Sequence, residues 1–232
     1  MKTSFWTKLF DLCSPRLCAI CGSRLSAEQT VLCSHCLDNL PYTNYHLSPL
    51  DNPMARLFWG LFPVERAAAL FFYVSKTDTK ELIFDLKYHG YPEVGRAMGA
   101  LMAQRFQDSQ FFEGIDALVP VPLTRKRQWQ RGYNQSDMIA RGINDATGIP
   151  IIRKAVKRCS FKESQTKKNI WERRQNVENA FQLTNPDLIK GKHLLLIDDI
   201  VTTGSSITAC ATELCKAEGV KVSVLALGLT KE

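Results

Sequence analysis

The chain has 232 residues, of which 45% are hydrophobic, so it can bury an ordinary core and its composition excludes a disordered protein. No apolar run approaches the ~20 residues that a membrane-spanning helix needs. The N-terminal stretch MKTSFWTKLFDL is too polar for the hydrophobic region of a secretory signal. We therefore expect a cytoplasmic protein with no membrane span.

The net charge of +7 is unevenly distributed along the chain. Residues 123–174 contain 14 Lys and Arg against four Asp and Glu, whereas the rest of the chain is slightly acidic. A concentrated basic segment attracts polyanions, and phosphorylated sugars or nucleic acid are the obvious candidates. The plainer alternative is a solvated surface.

Four of the eight cysteines form two CxxC pairs near the N-terminus. Cys18 and Cys21 are separated by 11 residues from Cys33 and Cys36, a spacing that suits a tetrahedral Zn²⁺ held by four thiolates. Such a site has no open position for a substrate, so we expect a structural zinc whose binding folds the segment. Cys13 lacks a CxxC partner and is interpreted as a buried or free thiol.

Four prolines between residues 41 and 63 favour a linker after the cysteine pairs. This predicts two domains: residues 1–62, a small zinc-ribbon element with its linker, and residues 63–232, a larger domain.

The larger domain alternates short apolar runs with segments of helical periodicity. Such alternation predicts an α/β fold, a parallel sheet flanked by helices. Strands are predicted at 67–74, 116–121, 149–156, 194–197 and 220–227, and helices at 80–88, 93–106, 136–146 and after residue 204. Lys87 lies near the end of the first of these helices, where a favourable dipole interaction and a role in a site are equally good interpretations.

A basic stretch, LTRKRQWQRGYNQ, directly follows the strand at 116–121 and is predicted to be a loop. Ligands of parallel α/β sheets bind beyond the carboxyl ends of the strands. We therefore interpret this loop as an anion site, with candidate residues Arg125, Arg131, Gly132 and Asn134.

Residues 159–181 form a long polar segment with no clean periodicity. Loops of this length are usually functional, and one placed between sheet strands can act as a lid that excludes water. The candidate lid or DNA-binding residues are Gln165, Lys167, Lys168, Arg173 and Asn176.

The most informative stretch is HLLLIDDIVTTGSSI, residues 193–207. An apolar run predicts a strand buried on both faces, and Asp198 and Asp199 follow where that strand is expected to end. A hydroxyl-rich turn then opens a helix, and a helix N-terminus with nearby hydroxyls favours a phosphate. A bare phosphate would repel the carboxylates, which therefore suggest ribose hydroxyls or a bridging Mg²⁺. The alternative is an ordinary capped strand-to-helix connection.

This stretch resembles the PRPP-binding motif of type I phosphoribosyltransferases. The resemblance implies that the carboxylates meet the ribose hydroxyls and that the turn holds the 5-phosphate of PRPP or a related phosphorylated ribose. It also implies that the stretch beginning at Arg131 corresponds to the pyrophosphate-binding loop. The residues that match the motif are Asp198, Asp199, Thr202, Thr203, Gly204, Ser205 and Ser206.

The CxxC pairs, KYHG at residues 87–90, PVP followed by RGYNQ, the 165–181 segment and DDIVTTGSS together resemble the ComF/GntX family. The resemblance covers nearly the whole chain. It implies a phosphoribosyltransferase-like domain fused to a zinc element and a role in natural transformation and the handling of incoming DNA. The chain departs from the pattern at Ser206, where Thr is usual, and at Lys168, where an apolar residue is common.

Three functions agree with the sequence. The first is a protein of DNA uptake that binds PRPP and handles single-stranded DNA, with bases stacking on Trp129, Tyr133, Phe161 or Trp171, although such aromatics are as often packed in a core. The second is an active phosphoribosyltransferase that uses Mg²⁺, releases pyrophosphate and acts on an unidentified acceptor. The third is a scaffold for another uptake protein, such as a helicase or a recombination mediator.

Overall fold

The computed structural model describes residues 16–74, 79–88, 91–159 and 180–231. In these ranges the helices are α1 (Ser34–Asp38), α2 (Pro53–Arg56), α3 (Thr79–Tyr88), α4 (Pro92–Phe106), α5 (Arg125–Arg131), α6 (Gln135–Thr147) and α7 (Ser205–Leu214). The strands are β1 (Val64–Tyr73), β2 (Ala117–Pro120), β3 (Val156–Arg158), β4 (Phe181–Leu183), β5 (His193–Val201) and β6 (Lys221–Thr230). None of these helices is both long enough and apolar enough to cross a membrane.

Four strands form a parallel sheet in the order β1-β6-β5-β2. β5 and β6 are central and almost wholly buried, because helices cover both faces of the sheet. This explains why both strands appear in the sequence as continuous apolar runs. The predicted α/β fold, a parallel sheet flanked by helices, is confirmed.

One face of the sheet is covered by α3, α4 and α6, and the other by α2 and α7. α4 and α6 touch through glycines: a Cβ added to Gly142 would lie 1.9 Å from the carbonyl oxygen of Arg96, and one added to Gly99 would lie 2.1 Å from that of Ile139. No side chain fits in either contact. This close packing fixes the start of α6 beside the carboxyl end of β5.

The predicted strand at 149–156 is wrong in its extent. Only Ile151 bridges the sheet, in parallel with Leu118, because Pro150 has no N–H to extend the ladder. The chain then leaves the sheet, and β3 pairs antiparallel with β4 in a separate two-stranded ribbon.

The segment after the cysteine pairs runs along β1. The Thr43 N–H donates to the Leu70 carbonyl (3.1 Å), and the Phe72 N–H donates to the Pro41 carbonyl (2.8 Å). Further on, Asn52 caps α2 and donates to the Ala67 carbonyl at 2.8 Å. These bonds hold the short helix α2 against the sheet, and Phe58 just beyond it is completely buried.

Candidate functional site

The four predicted zinc ligands come together in one cluster. The sulfur atoms of Cys18, Cys21, Cys33 and Cys36 all lie within 4.8 Å of one another, and those of Cys21 and Cys33 are 3.7 Å apart. A tetrahedral Zn²⁺ with Zn–S bonds of about 2.3 Å requires sulfurs about 3.8 Å apart. The donor set and its spacing therefore fit a closed four-thiolate metal site, and the prediction that these cysteines can hold a metal ion is confirmed.

The turn of each CxxC pair favours ligand thiolates. Gly22 adopts φ +68°, which closes the first turn, and the Cys33 N–H points at the Cys18 sulfur at 3.4 Å. Hydrogen bonding from the Ser23 side chain and backbone lowers the pKa of Cys21 to about 6. Burial raises the pKa of Cys36, so without a cation that buried sulfur stays protonated.

The carboxylates Asp198 and Asp199 lie inside β5 rather than after it, so the predicted end of the strand is wrong. β5 continues to Val201 because its neighbour β6 extends alongside it, with Asp198 opposite Ala226 and Val201 opposite Leu229. The two carboxylates are nevertheless at the carboxyl end of a central strand, which is where parallel α/β sheets bind ligands.

Asp198 is held by two hydrogen bonds and is difficult to ionise. Its Oδ1 accepts from the Ser136 hydroxyl at 3.1 Å and from the Asp199 N–H at 2.9 Å. Burial and the neighbouring Asp199 charge raise the pKa of Asp198 to about 7, although these hydrogen bonds and Lys87 oppose the shift. Near neutral pH this carboxyl exchanges a proton readily.

Lys87 forms an ion pair with Asp199, with Nζ 3.1 Å from Oδ2. The side chains are only 21% and 14% exposed, so the pair is poorly screened by solvent. The second interpretation of Lys87, a role in a site, is the one that the geometry supports. Sequence alone left the two interpretations equal because the ion pair joins α3 to a strand over 100 residues away.

The hydroxyl-rich turn forms the start of α7. Gly204 adopts φ +75° at the N-cap, and no side chain caps the helix. Thr202, Thr203 and Ser205 are exposed, and the Thr203 and Ser205 hydroxyl oxygens are 2.8 Å apart. A Cβ on Gly204 would lie 2.7 Å from Cε1 of Phe58, so the turn rests directly on that ring. The first amides of α7 are therefore available to an anion.

The basic stretch is a helix, α5, and not the predicted loop. Thr124 provides the cap, since its hydroxyl accepts from the Arg127 N–H at 3.3 Å, and Gly132 ends the helix with φ +78°. Arg125 is exposed, whereas Arg131 donates to Gln135 Oε1 at 2.7 Å.

The Asn134 side chain connects the end of β2 to the start of α6. Its Nδ2 donates to the Val121 carbonyl at 3.0 Å and its Oδ1 accepts from the Ser136 N–H at 3.1 Å. These two bonds place Ser136 against Asp198.

Arg158, at the end of β3, is a site residue that the sequence analysis missed. Its guanidinium lies 5.1 Å from the centre of the Phe181 ring. Burial and the charge of Arg127 lower the pKa of Arg158, and the charge of Asp198 opposes them, so the three groups interact electrostatically. Only the basic character of the segment signalled this residue, because its neighbours come from α5 and β5.

Two cavities lie away from the carboxylates. One, of about 360 Å³, is lined by Gly132 and Asn134 and by Arg141 and Arg153, whose guanidinium groups already pair with Asp137. A larger one, of about 560 Å³, lies between α4 and residues 28–37. Neither offers the combination of carboxylates and free amides found at β5 and α7.

The predicted lid residues Gln165, Lys167, Lys168, Arg173 and Asn176 lie outside the described residues, as do Phe161 and Trp171. Of the other two aromatic candidates, Trp129 is 87% exposed. Tyr133 is partly buried and donates its hydroxyl to the Leu86 carbonyl at 2.7 Å, which makes it a packing residue.

Comparison with models of known protein families finds no match. Among curated proteins, the DNA utilization protein YhgH of Escherichia coli O157:H7 is 29% identical over 91% of this chain and 89% of its own length. Competence protein F of Haemophilus influenzae is 29% identical over 86% of this chain and 78% of its own. Competence protein ComFC of Bacillus subtilis is 30% identical over 61% of this chain and 56% of its own. These relatives support the ComF family as the one that this chain resembles.

Solved structures that resemble this chain include phosphoribosyltransferases. The glutamine PRPP amidotransferase of B. subtilis aligns with 61% of the chain and 30% of its own, at 18% identity and a TM-score of 0.42. An adenine phosphoribosyltransferase aligns with 59% of the chain and 71% of its own, at 17% identity and a TM-score of 0.37. At these values the similarity concerns the fold alone.

Proposed function

We propose that this chain binds PRPP or a related phosphorylated ribose together with Mg²⁺, and that it handles incoming single-stranded DNA in the cytoplasm during DNA uptake. Other DNA-uptake proteins, such as a helicase or a recombination mediator, are its proposed partners. The observation that carries the proposal is the pair of adjacent carboxylates at the end of β5, directly before the uncapped N-terminus of α7.

The two halves of this arrangement suit the two ends of a phosphorylated ribose. Carboxylate oxygens accept hydrogen bonds from ribose hydroxyls, and the ion pair with Lys87 holds the Asp199 carboxylate in place. The amides of α7 and the hydroxyls of Thr203 and Ser205 donate to a phosphate. Mg²⁺, a hard cation that prefers oxygen ligands, would offset the repulsion between the diphosphate of PRPP and the carboxylates of Asp198 and Asp199.

The basic residues beside the carboxylates suit a second anion. α5 carries Arg125, Lys126, Arg127 and Arg131 with no carboxylate, and the charge of Asp198 acts on Arg158. Cations so placed can neutralise a diphosphate or the backbone of a DNA strand. The names of the relatives, which concern DNA utilization and competence, favour DNA.

Zinc is the metal we propose for the four-cysteine cluster, with Cys18, Cys21, Cys33 and Cys36 as ligands. Four thiolates fill a tetrahedral site, so the ion stabilises residues 16–40 and takes no part in a reaction.

Ligand-dependent thermal stability tests the pentose-phosphate site. PRPP with Mg²⁺ at 100 times its Kd stabilises a protein by about 2.7 kcal/mol and raises its Tm by a few degrees. We expect this shift for the native chain and its loss in the double variant Asp198→Asn, Asp199→Asn. The control Asp187→Asn changes an exposed aspartate that belongs to neither β5 nor α7 and should keep the shift. If PRPP with Mg²⁺ does not raise the Tm of the native chain, the proposal that PRPP is a ligand is refuted.

Salt-dependent binding tests the DNA claim. For a single strand, the logarithm of affinity falls with the logarithm of salt concentration by about 0.7 for each phosphate neutralised. Replacing both Arg125 and Lys126 by Ala should lower this slope by about 1.4, whereas Lys190→Ala, an exposed lysine paired with Glu218, should not change it. A slope that is already flat in the native chain would exclude α5 as a DNA contact.

A second candidate, phosphoribosyl transfer to an unidentified acceptor, is favoured by the pKa of Asp198, about 7, which suits a general base. In that reaction an acceptor nucleophile bonds to C1 of PRPP, the bond from C1 to the diphosphate oxygen breaks, and Asp198 takes the acceptor proton. Release of pyrophosphate that depends on an added acceptor would support this transfer reaction. If no nucleobase or amine acceptor causes release of pyrophosphate, the transfer reaction is refuted and only the binding function remains.

A further inference from the structure

α3 carries two aromatic rings outside its buried face. Leu82, Ile83 and Leu86 form its buried face, whereas Phe84 and Tyr88 are 38% and 63% exposed. These two residues are one helical turn apart, and their ring centroids are 4.9 Å apart at an interplanar angle of 43°. Tyr88, the more exposed of the two, leaves most of its ring open to a contact from outside the chain.

We call Phe84, Tyr88 and the guanidinium of Arg131 the platform. Contacts from the segment around α5 and α6 hold the platform in place. The guanidinium of Arg131 lies 5.6 Å from the centre of the Tyr88 ring, and its Nη1 donates a 2.7 Å hydrogen bond to Gln135 Oε1, which holds it there. The Tyr133 hydroxyl donates to the Leu86 carbonyl and thereby ties α3 to the same segment. The rings are therefore presented on a fixed support.

The platform lies between the cationic helix α5 and the carboxylates Asp198 and Asp199. α5 contributes four cations and no carboxylate, and Trp129 on the same helix is 87% exposed. Lys87, the residue before Tyr88, holds Asp199. An aromatic surface beside phosphate-binding cations is the combination that single-stranded nucleic acid requires, since bases stack on rings while the backbone follows the charges.

We propose that the platform stacks a base of single-stranded DNA, and that Tyr88 is its principal contact. The proposal rests on the proposed function, because it assigns a base contact to the DNA-handling activity. A cationic setting favours a polyanion over an apolar protein segment as the occupant. Stacking on a ring does not select among bases, so the site is expected to be tolerant of sequence.

The test compares two fluorescently labelled strands of equal length, oligo-dT and the same backbone with abasic spacers. Tyr88→Ala should weaken oligo-dT binding about 5- to 150-fold, the equivalent of 1–3 kcal/mol for one stacked base, and should leave abasic binding unchanged. Tyr88→Phe, which keeps the ring, should bind both strands as the native chain does. Trp59→Ala serves as the matched control, since Trp59 is 52% exposed with Arg56 over its ring but belongs to another segment.

Two results overturn the proposal while the proposed function stands: equal binding of oligo-dT by the native chain and Tyr88→Ala, or an equal loss on both strands, which would show a backbone or folding effect. Failure of the native chain to bind either strand would refute the DNA-handling function itself. Circular dichroism of each variant identifies a loss of folding.

Discussion

Gly204 is the position in the candidate site where adding a single methyl group should reduce stability most. The residue adopts φ +75° and ψ −2°, and a side chain in this left-handed conformation costs about 1–2 kcal/mol. The new Cβ would also lie 2.7 Å from Cε1 of the completely buried Phe58, and forcing extra volume into a packed core costs about 1–3 kcal/mol more. Gly204→Ala should therefore lower the free energy of unfolding by about 2–5 kcal/mol.

Gly148 provides the matched control for this substitution. It adopts φ 74° and ψ −2° at the end of α6, and a Cβ there would meet no atom within 4 Å. Gly148→Ala should show only the backbone cost of about 1–2 kcal/mol in urea denaturation, and the difference between the two variants measures the contact with Phe58. PRPP should raise the Tm of Gly148→Ala as it does that of the native chain, but should raise that of Gly204→Ala less.

A double-mutant cycle then tests the cause. Phe58→Leu removes the ring edge that the new methyl would strike, so the double variant Gly204→Ala, Phe58→Leu should be more stable than the sum of the single effects by about 1–3 kcal/mol. Additive effects, or equal losses in Gly204→Ala and Gly148→Ala, would refute the claim that Phe58 supports the turn.

Three other predictions follow from the site. Cys33→Ser should reduce bound zinc and weaken protection of residues 16–40 from proteolysis, while Cys215→Ser should change neither. The pKa of Asp198, raised by burial and Asp199, means that the folded state binds a proton which the unfolded state has already lost, so stability should fall as pH rises from about 4 through 7, a fall that Asp198→Asn should flatten. If the ligand requires the ionised carboxylate, PRPP should bind more tightly as pH rises from 6 to 8. Lys87→Met should lower the free energy of unfolding by about 1–3 kcal/mol at pH 8 and by less at pH 5, where Asp198, whose pKa is about 7, is protonated and no longer repels Asp199. Equal losses at the two pH values would contradict the neutralisation of these carboxylates by Lys87.

The sequence predicts the elements of the sheet well because buried strands and helices have recognisable local patterns of apolar residues. The central strands β5 and β6 appear as apolar runs, since both their faces are covered, and α3, α4 and α6 lie within one residue of their predicted starts. The cysteine pairs are equally informative, because four thiolates at this spacing have few uses other than metal binding.

Most of what the sequence does not predict depends on contacts between distant residues. The helix in the basic stretch is the exception, because its cap at Thr124 is a local feature of the sequence. The extension of β5 past its carboxylates depends on the length of β6 alongside it. The partners of the carboxylates, Lys87 and Ser136, come from α3 and α6, and nothing in their own surroundings in the sequence marks them as site residues.

The order of strands in the sheet has a consequence for how the protein is made. β1, an apolar strand containing the run Ala-Ala-Ala-Leu-Phe-Phe, pairs in the sheet with β6, and Val64 meets Val222. At a synthesis rate of about 5–20 residues per second, β6 follows β1 from the ribosome after roughly 10–30 seconds. During that interval the backbone edge of β1 has no native strand to accept it, and exposed apolar edges pair readily with other chains. The nascent protein should therefore depend on chaperones that shield this strand, and slowing translation after β1 should increase its aggregation.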